Sequence, residues 1–309
     1  MGQTASDAGN APSWDVVVVG GGPAGLSAAL ILGRCRRRVL VLDTGEPRNA
    51  ASSAMHGFLS RDGMPPREFL RVAREQLAQY PVELRALEAV DVARRDDGFC
   101  VVAADGTRHH CRKLLLATGL VDVLPDVEGM AELYGKGVHH CPYCDGWEVR
   151  DQPLAVYGRN EDGITLALHL LTWSRDVVLF TDGPCRLDAA EEAQLERHGV
   201  ELRRERVVRL VGVNGHLAGV ELENGEVVPR RALFLKLEQR QHSDLAQRLG
   251  ITTTPSDGVA TDAMERTATP GVWVAGDASR DVLLVAVAVA EGVKAAFAIN
   301  TELQDEELA

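Results

Sequence analysis

Residues 139 to 147 read HHCPYCDGW, which puts two imidazoles, two thiols and a carboxylate within a single short stretch. Such a group can hold a metal ion, brace a fold or carry electrons. A structural zinc site takes four ligands, usually two cysteine pairs or one pair with spaced histidines. Here His139 and His140 adjoin each other and Cys141, so the side chains do not turn easily toward one ion. A bridge between Cys141 and Cys144 closes too small a loop to stabilise much. Redox chemistry needs little more than is present. The two-residue spacing lets the sulfurs bond and part without large backbone motion, and in such pairs one thiol often has a lowered pKa and supplies the attacking thiolate. Asp145 can take or give the proton that accompanies each two-electron step, and the histidines can help when protonated. Cys35, Cys100, Cys111 and Cys185 have no thiol partner nearby in sequence and read as small buried apolar residues.

The elements that must position this chemistry start at residue 15. DVVVV (15–19) is a β-branched run of the kind found in buried parallel strands. It leads into GGGPAG (20–25) and then LSAALILGR, whose composition suits a helix. Gly20, Gly22 and Gly25 fit G-x-G-x-x-G: the first permits a tight turn, the second lets backbone approach a pyrophosphate, the third lets helix pack on strand. The helix start adds unpaired N–H groups and partial positive charge. A second strand, RRRVLVLD, ends at Asp43, where an acid can accept a ribose hydroxyl. Arg36, Arg37 and Arg38 precede that strand and read as a solvated loop. REFLRVAREQLAQY (67–80) has the pattern of an amphipathic helix with Pro65 and Pro66 at its start. Turns are expected at Asp97-Gly98 and Asp105-Gly106, and KLLLATG (113–119) is a further apolar run closed by Thr118 and Gly119.

A weaker copy follows: PLAVYGRNEDG (153–163), ITLALHLLTWS and DVVLFTDG repeat strand, turn, helix and strand. The glycine positions now hold Gly158, Asn160 and Gly163, so a side chain stands where backbone should meet phosphate. Glu161 and Asp162 add two negative charges there, and like charges at short range cost on the order of 1 kcal/mol. Asp182 ends the next strand; it can accept a ribose hydroxyl, and no arginine pair nearby would hold a 2′-phosphate. Use of NADPH or NADH is therefore left open, with NADH the less disfavoured. A hairpin is expected at Asn224-Gly225, a strand within PGVWVAGDAS (270–279), and one alanine-rich helix over 282–300.

The 309 residues suggest two domains at ~100–200 residues each. With 45% apolar and 25% charged residues the composition is that of an ordinary soluble globular protein. A net charge of -12 argues against nucleic acid as a partner. The longest apolar run, VLLVAVAVA, is far short of the ~18 residues of a membrane helix. Residues 1–13 lack the marks of a secretory signal, read as a disordered start, and match a myristoylation pattern that so short a sequence meets by chance. A chain of this length does not need disulfide staples, which favours a reducing cytoplasm.

Taken in order, GGGPAGL, ATG, CPYCDG and GVWVAGD resemble the low-molecular-weight thioredoxin reductases and their relatives, over residues 14 to 301. The resemblance implies an α/β fold of two Rossmann-like domains: a discontinuous FAD-binding domain (14–117 and 245–309) and a smaller inserted domain (118–244) that carries the dithiol. By position it implies that Gly20, Gly22 and Gly25, with Pro23 and Ala24 between them, line the FAD pyrophosphate. Asp43 would meet the adenosine ribose, Asp277 after Gly276 the ribityl chain, and Thr118 and Gly119 would also face the cofactor. Cys144 would be the sulfur beside the flavin, Cys141 the sulfur that exchanges with substrate, and Asp145 the acid that moves the proton. The stretches GRNEDG, FTDGP and FLKLEQRQ (234–241) depart from the NADPH-using enzymes. With MHGFLSRDGMPP (55–66) they resemble two sister groups: FAD-dependent oxidases that close disulfides in sulfur-bridged natural products, and flavoproteins that have lost the pyridine nucleotide site. His56, and Asn49 before it, would then lie near the flavin. The expected partner is a thioredoxin-like protein or a small dithiol or disulfide, and the expected assembly a homodimer. A flavin-bearing redox sensor with little turnover is the alternative of another class.

Overall fold

The computed structural model describes residues 14–185, 187–254, 258–279 and 282–309; the expectation of a disordered start at 1–13 lies outside them. The chain divides into two compact units, the first built from residues up to Arg48, Arg67–Val121 and Arg240–Ala309, the second from Asn49–Pro66 and Asp122–Gln239. The sequence reading left 49–66 with the first unit. Its packing puts it in the second: a side chain on Gly135 would collide with Ala51, and His56 lies beside Glu148.

In the first unit Val82–Arg85, Val39–Leu42, Trp14–Val19 and Arg108–Leu116 lie side by side in parallel, and Val272–Val274 also joins Arg108–Leu116 in parallel. Gly98–Ala103 and Ala89–Arg95 extend the sheet antiparallel, through turns at the two expected Asp-Gly pairs. Strand side chains alternate between faces, and both faces here are buried. Val16, Val18, Val39, Val41 and Leu115 belong to one apolar cluster, while Val17, Val19, Leu40, Leu42, Leu114 and Leu116 belong to the other. That double burial is why the run of valines lacks a polar alternation. Helices Pro23–Arg34 and Val285–Leu308 pack on the first of these faces. Gly292 makes their contact possible, since a Cβ there would lie 2.1 Å from the Ala24 carbonyl oxygen.

The second unit has a five-stranded parallel sheet in the order Glu201–Arg203, Val177–Phe180, Leu154–Tyr157, Ala232–Leu235, Val138–His139. Helix Glu161–Leu170 covers one face. An antiparallel ribbon of Val207–Val213, His216–Leu222 and Val227–Pro229 covers the other, turning at Asn224-Gly225. The chain passes between units through Leu120–Val123 and Glu238–Gln241, which pair with each other as a two-stranded sheet. Among the described residues no helix is long and apolar enough to cross a membrane.

Candidate functional site: a dithiol turn and a dinucleotide turn

Cys141 and Cys144 are joined as a disulfide with their Cα atoms 5.2 Å apart. The parallel strand Val138–His139 delivers the chain to Cys141, which then caps a single helical turn, Pro142–Asp145. Pro142 sits at the first helical position, where its missing N–H costs nothing. The Cys144 N–H donates to Cys141 Sγ at 3.1 Å and the Gly146 N–H to the Pro142 carbonyl at 2.8 Å. Gly146 is required: a Cβ would stand 2.6 Å from that carbonyl and 2.8 Å from the Trp173 ring. Sulfur spacing is thus set by local backbone, and the pair can open within one turn.

Ionisable groups surround the dithiol. His139 Nδ1 lies 3.2 Å from Asp145 Oδ1, with the imidazole nearly buried against Phe234. His140 Nδ1 is 2.8 Å from the Tyr134 hydroxyl, which is also 2.8 Å from Asp122 Oδ2; Asp122 Oδ1 accepts from the Gln239 amide at 3.0 Å. Tyr143 and Trp147 flank the turn on the outside, 80% and 64% exposed, with the Arg150 guanidinium 4.0 Å above the Trp147 ring. His56 is held in a loop closed by pairing of Met55 with Met64, its Nδ1 3.5 Å from carboxylate oxygens of both Asp62 and Glu148. Asn49 lies in the short 3-10 turn Arg48–Ala51 and its carbonyl accepts from Ser52. No group of three or more His, Cys, Asp or Glu among the described residues is placed to hold a metal.

The first glycine turn has distinct work for each glycine. Gly20 has φ +104°, and a Cβ there would be 2.2 Å from the Ala117 carbonyl oxygen; at Gly25 it would be 1.9 Å from the Gly20 carbonyl oxygen. At Gly22 a Cβ would meet nothing within 4 Å. Gly22 caps the helix that starts at Pro23 and Ala24, with no side chain covering the first N–H groups. An open approach to unpaired donors at a helix start suits a pyrophosphate. Asp43 Oδ1 accepts from the Gly21 N–H (2.9 Å) and Oδ2 from Arg74 (2.8 Å), leaving lone pairs for a ribose hydroxyl. Thr118 follows the central strand, and Gly119 has φ +67° with its carbonyl bonded to His242 N–H. Gly276 (φ +81°) donates its N–H to the buried Glu291 carboxylate at 2.6 Å, and Asp277 pairs with Arg48 at 2.9 Å. The residues present fit a flavin dinucleotide. Arg48, Arg74 and Glu291 were missed by sequence reasoning, because each meets its partner across the fold.

The second glycine turn differs. Gly158 and Gly163 pack against each other, a Cβ on Gly158 falling 2.8 Å from Gly163 Cα. Asn160 caps helix Glu161–Leu170, and Asp162 in its first turn pairs with Lys236 at 2.6 Å. The expectation that Asp182 can serve a ribose is corrected by its partners. Oδ2 accepts from the Tyr157 hydroxyl at 2.8 Å and from the Arg159 guanidinium, and Oδ1 from the Val207 N–H at 2.9 Å. With only 9% of its side chain exposed, this carboxylate ties the sheet to the ribbon. Burial alone would raise the Asp182 pKa, but the Tyr157 hydroxyl, the Val207 N–H and Arg159 hold it below the ordinary value. Burial and the hydrogen bond to Asp182 push the Tyr157 hydroxyl up to about 12.

Four lone cysteines read as buried prove mixed. Cys100 and Cys111 are buried, and burial pushes the Cys111 thiol up to about 12. Cys35 is exposed at the end of helix Pro23–Arg34, and Cys185 is partly exposed. Arg37, read as solvated, is instead anchored by Asn300 at 2.8 Å and Glu307 at 2.5 Å.

Two doubly wound units, one with an open dinucleotide turn and one with a redox disulfide, define a flavin-dependent dithiol/disulfide oxidoreductase. Comparison with known proteins is specific: the chain belongs to the pyridine nucleotide-disulphide oxidoreductase family, matched over residues 14–292. It is 32% identical to a probable thioredoxin reductase of Arthroderma benhamiae, over 95% of this chain and 81% of that one. Thioredoxin reductase tcpT of Claviceps purpurea is 33% identical, over 94% of both chains. The crystal structure of HlmI superposes with a TM-score of 0.92 at 40% identity, covering 97% of this chain and 96% of that one. The protein is accordingly an enzyme of the thioredoxin reductase type, acting on sulfur groups with FAD as cofactor.

Proposed function

We propose that this enzyme oxidises an external dithiol, a small molecule or a thioredoxin-like protein, and that NADPH is a poor electron donor to it. The observation that carries this reading is Asp182. In a working nicotinamide site the acid at this strand end receives a ribose; here its oxygens are committed to Tyr157, Val207 and Arg159. Glu161 at the helix start adds repulsion toward phosphate, while Asp162 beside it is paired with Lys236.

Bound FAD would supply a two-electron acceptor. Gly20, Gly22, Gly25, Pro23 and Ala24 would cradle its pyrophosphate. Asp43 would take the adenosine ribose and Asp277 the ribityl chain, with Thr118, Gly119 and Gly276 as further residues toward the cofactor. In the second unit Cys141 would exchange with the substrate thiol and Cys144 would pass the electron pair to the flavin. Asp145, oriented by His139, carries the proton. The same reading gives a cytoplasmic homodimer.

Anaerobic rapid mixing tests the proposal. Dithiothreitol is expected to bleach the flavin at least tenfold faster than NADPH or NADH, about 1.4 kcal/mol in barrier. Bleaching by NADPH within milliseconds, saturating at micromolar concentration, would overturn it.

A further inference from the structure

We infer that Glu291 is a positioning residue for FAD: its buried carboxylate holds the Gly276–Asp277 turn in the shape that would receive the flavin half of the cofactor. This rests on the reading of Gly276 and Asp277 as cofactor-facing residues given above.

The helix Val285–Leu308 opens on a run of valine and alanine, and Glu291 is its first charged residue, only 6% exposed. Taking a carboxylate out of water is unfavourable unless it receives hydrogen bonds. Glu291 Oε2 accepts from the Gly276 N–H at 2.6 Å, and the Ser279 hydroxyl lies 3.5 Å from the same oxygen. Ser279 also closes the turn, its N–H and hydroxyl donating to the Gly276 carbonyl at 2.9 and 3.0 Å. The turn needs such a hold. The Ala275 N–H bonds back to the Leu116 carbonyl at 3.1 Å, and the chain then leaves the sheet through Gly276 at φ +81°. Glycine enters that region easily and leaves it as easily. A carboxylate fixed on a long helix keeps it there.

The same helix face reaches the dinucleotide turn. Ala288, Glu291, Gly292 and Ala295 are buried at the spacing of a single helix face. A Cβ on Gly292 would lie 2.1 Å from the Ala24 carbonyl oxygen, and one on Gly276 would lie 3.0 Å from the Ala24 Cβ and 3.8 Å from the Ala288 Cβ. Ala24, Gly276 and the helix around Gly292 therefore meet, all within the first unit. Ala24 and Gly276 stand near opposite ends of the sequence, and this helix joins them. Gly292 seats it against the pyrophosphate side, and Glu291 seats the Gly276 turn against it. A ligand held at two places binds better when both are in position before it arrives, because less ordering remains to be done. Glu291 would thus act on the flavin half of FAD affinity and leave the ADP half alone.

The test sets two conservative variants against two ligands, by calorimetric titration of the full chain stripped of flavin. Glu291→Gln keeps the reach and an accepting oxygen but not the charge; Glu291→Asp keeps the charge but is a methylene short. ADP carries the adenosine and pyrophosphate without the flavin, so it probes the glycine turn alone. Glu291→Asp is expected to weaken FAD about tenfold or more, with ADP within about twofold of the wild type, while Glu291→Gln keeps both near the wild type. Equal losses for FAD and ADP, an unchanged FAD affinity in Glu291→Asp, or a Glu291→Gln loss as large as that of Glu291→Asp overturns the inference. The Gly276 amide proton of flavin-free wild type gives an answer independent of any variant's folding. A strong downfield shift, expected for an N–H bonded to a carboxylate, supports the inference; the shift of an unbonded amide refutes it. Asp277→Ala separates the two readings. If it leaves FAD affinity unchanged, the assignment of this turn to the cofactor falls, and the inference with it. If it weakens FAD while Glu291→Asp does not, the role of Glu291 alone is removed.

Discussion

At the scale of single residues, the glycine turn separates what the fold needs from what the cofactor needs. Gly25→Ala would drive a Cβ to 1.9 Å from backbone oxygen. Overpacking of this kind costs about 1–3 kcal/mol or more, and the variant should be destabilised with or without FAD. Gly22 has an ordinary negative φ of -76° and open space before it. Gly22→Ala should therefore leave the unfolding midpoint of the apoprotein nearly unchanged while weakening FAD at least about tenfold, or 1.4 kcal/mol. Denaturant titration of both apoproteins and fluorescence titration with FAD check this; equal losses of stability would contradict it. These glycines were legible because their function is local, written in a strand, a turn and a helix that adjoin in sequence. The partners of the site were not. Arg74 reaches Asp43 across 31 positions and Arg48 reaches Asp277 across 229, and nothing in either neighbourhood marks the pairing.

Among the elements, the ribbon of the second unit is fastened to its sheet by the Tyr157–Asp182–Val207 knot, and this makes stability depend on pH at both ends. The Tyr157 hydroxyl is held up to about 12 in the folded protein, against roughly 10 in an unfolded chain. Its contribution is complete below about pH 10 and is lost as pH rises toward 12, because the unfolded state releases the proton first. Asp182 is lowered when folded, so its contribution holds above the ordinary carboxylate range near 4 and fades as pH falls below it. Denaturant unfolding across the alkaline range should show the wild type losing stability where Tyr157→Phe does not; parallel curves would contradict the assignment. The C-terminal helix teaches a related lesson about legibility. Its apolar run suggested an end near 300, but the helix continues to Leu308 through an acidic tail. Carboxylates near a helix C-terminus are unfavourable. Here Lys113 binds Glu302 and Glu306 at 2.5 Å each, and Arg112 and Arg37 bind Glu307. Those cations come from far upstream, beyond the reach of any local pattern.

For the molecule as a whole, the two units answer differently to ligands. Hydrogen exchange should show FAD protecting residues around 20–25 and 274–279, where the open turn and the Gly276 loop lie. NADPH at the same concentration should leave 158–183 unprotected, because Asp182 is committed to Tyr157, Arg159 and Val207. Protection of 158–183 by NADPH would reopen the second site. The doubly wound pattern of both units was legible from strand and turn order alone. The place of 49–66 was not, since membership follows from contacts with Gly135 and Glu148 rather than from composition.

The paired crossing strands, Leu120–Val123 and Glu238–Gln241, carry a further consequence. Within the first unit Gly119 and His242 are bonded backbone to backbone, and within the second Gln239 is bonded to Asp122. The host therefore holds its cut ends together, and the guest's two termini meet. Closing a gap already closed adds little loop entropy, and domains whose termini adjoin are those that tolerate insertion. Recombination at this two-strand seam would exchange residues 122–239 with their dithiol, but not the whole second unit, because residues 49–66 enter it from elsewhere in the chain.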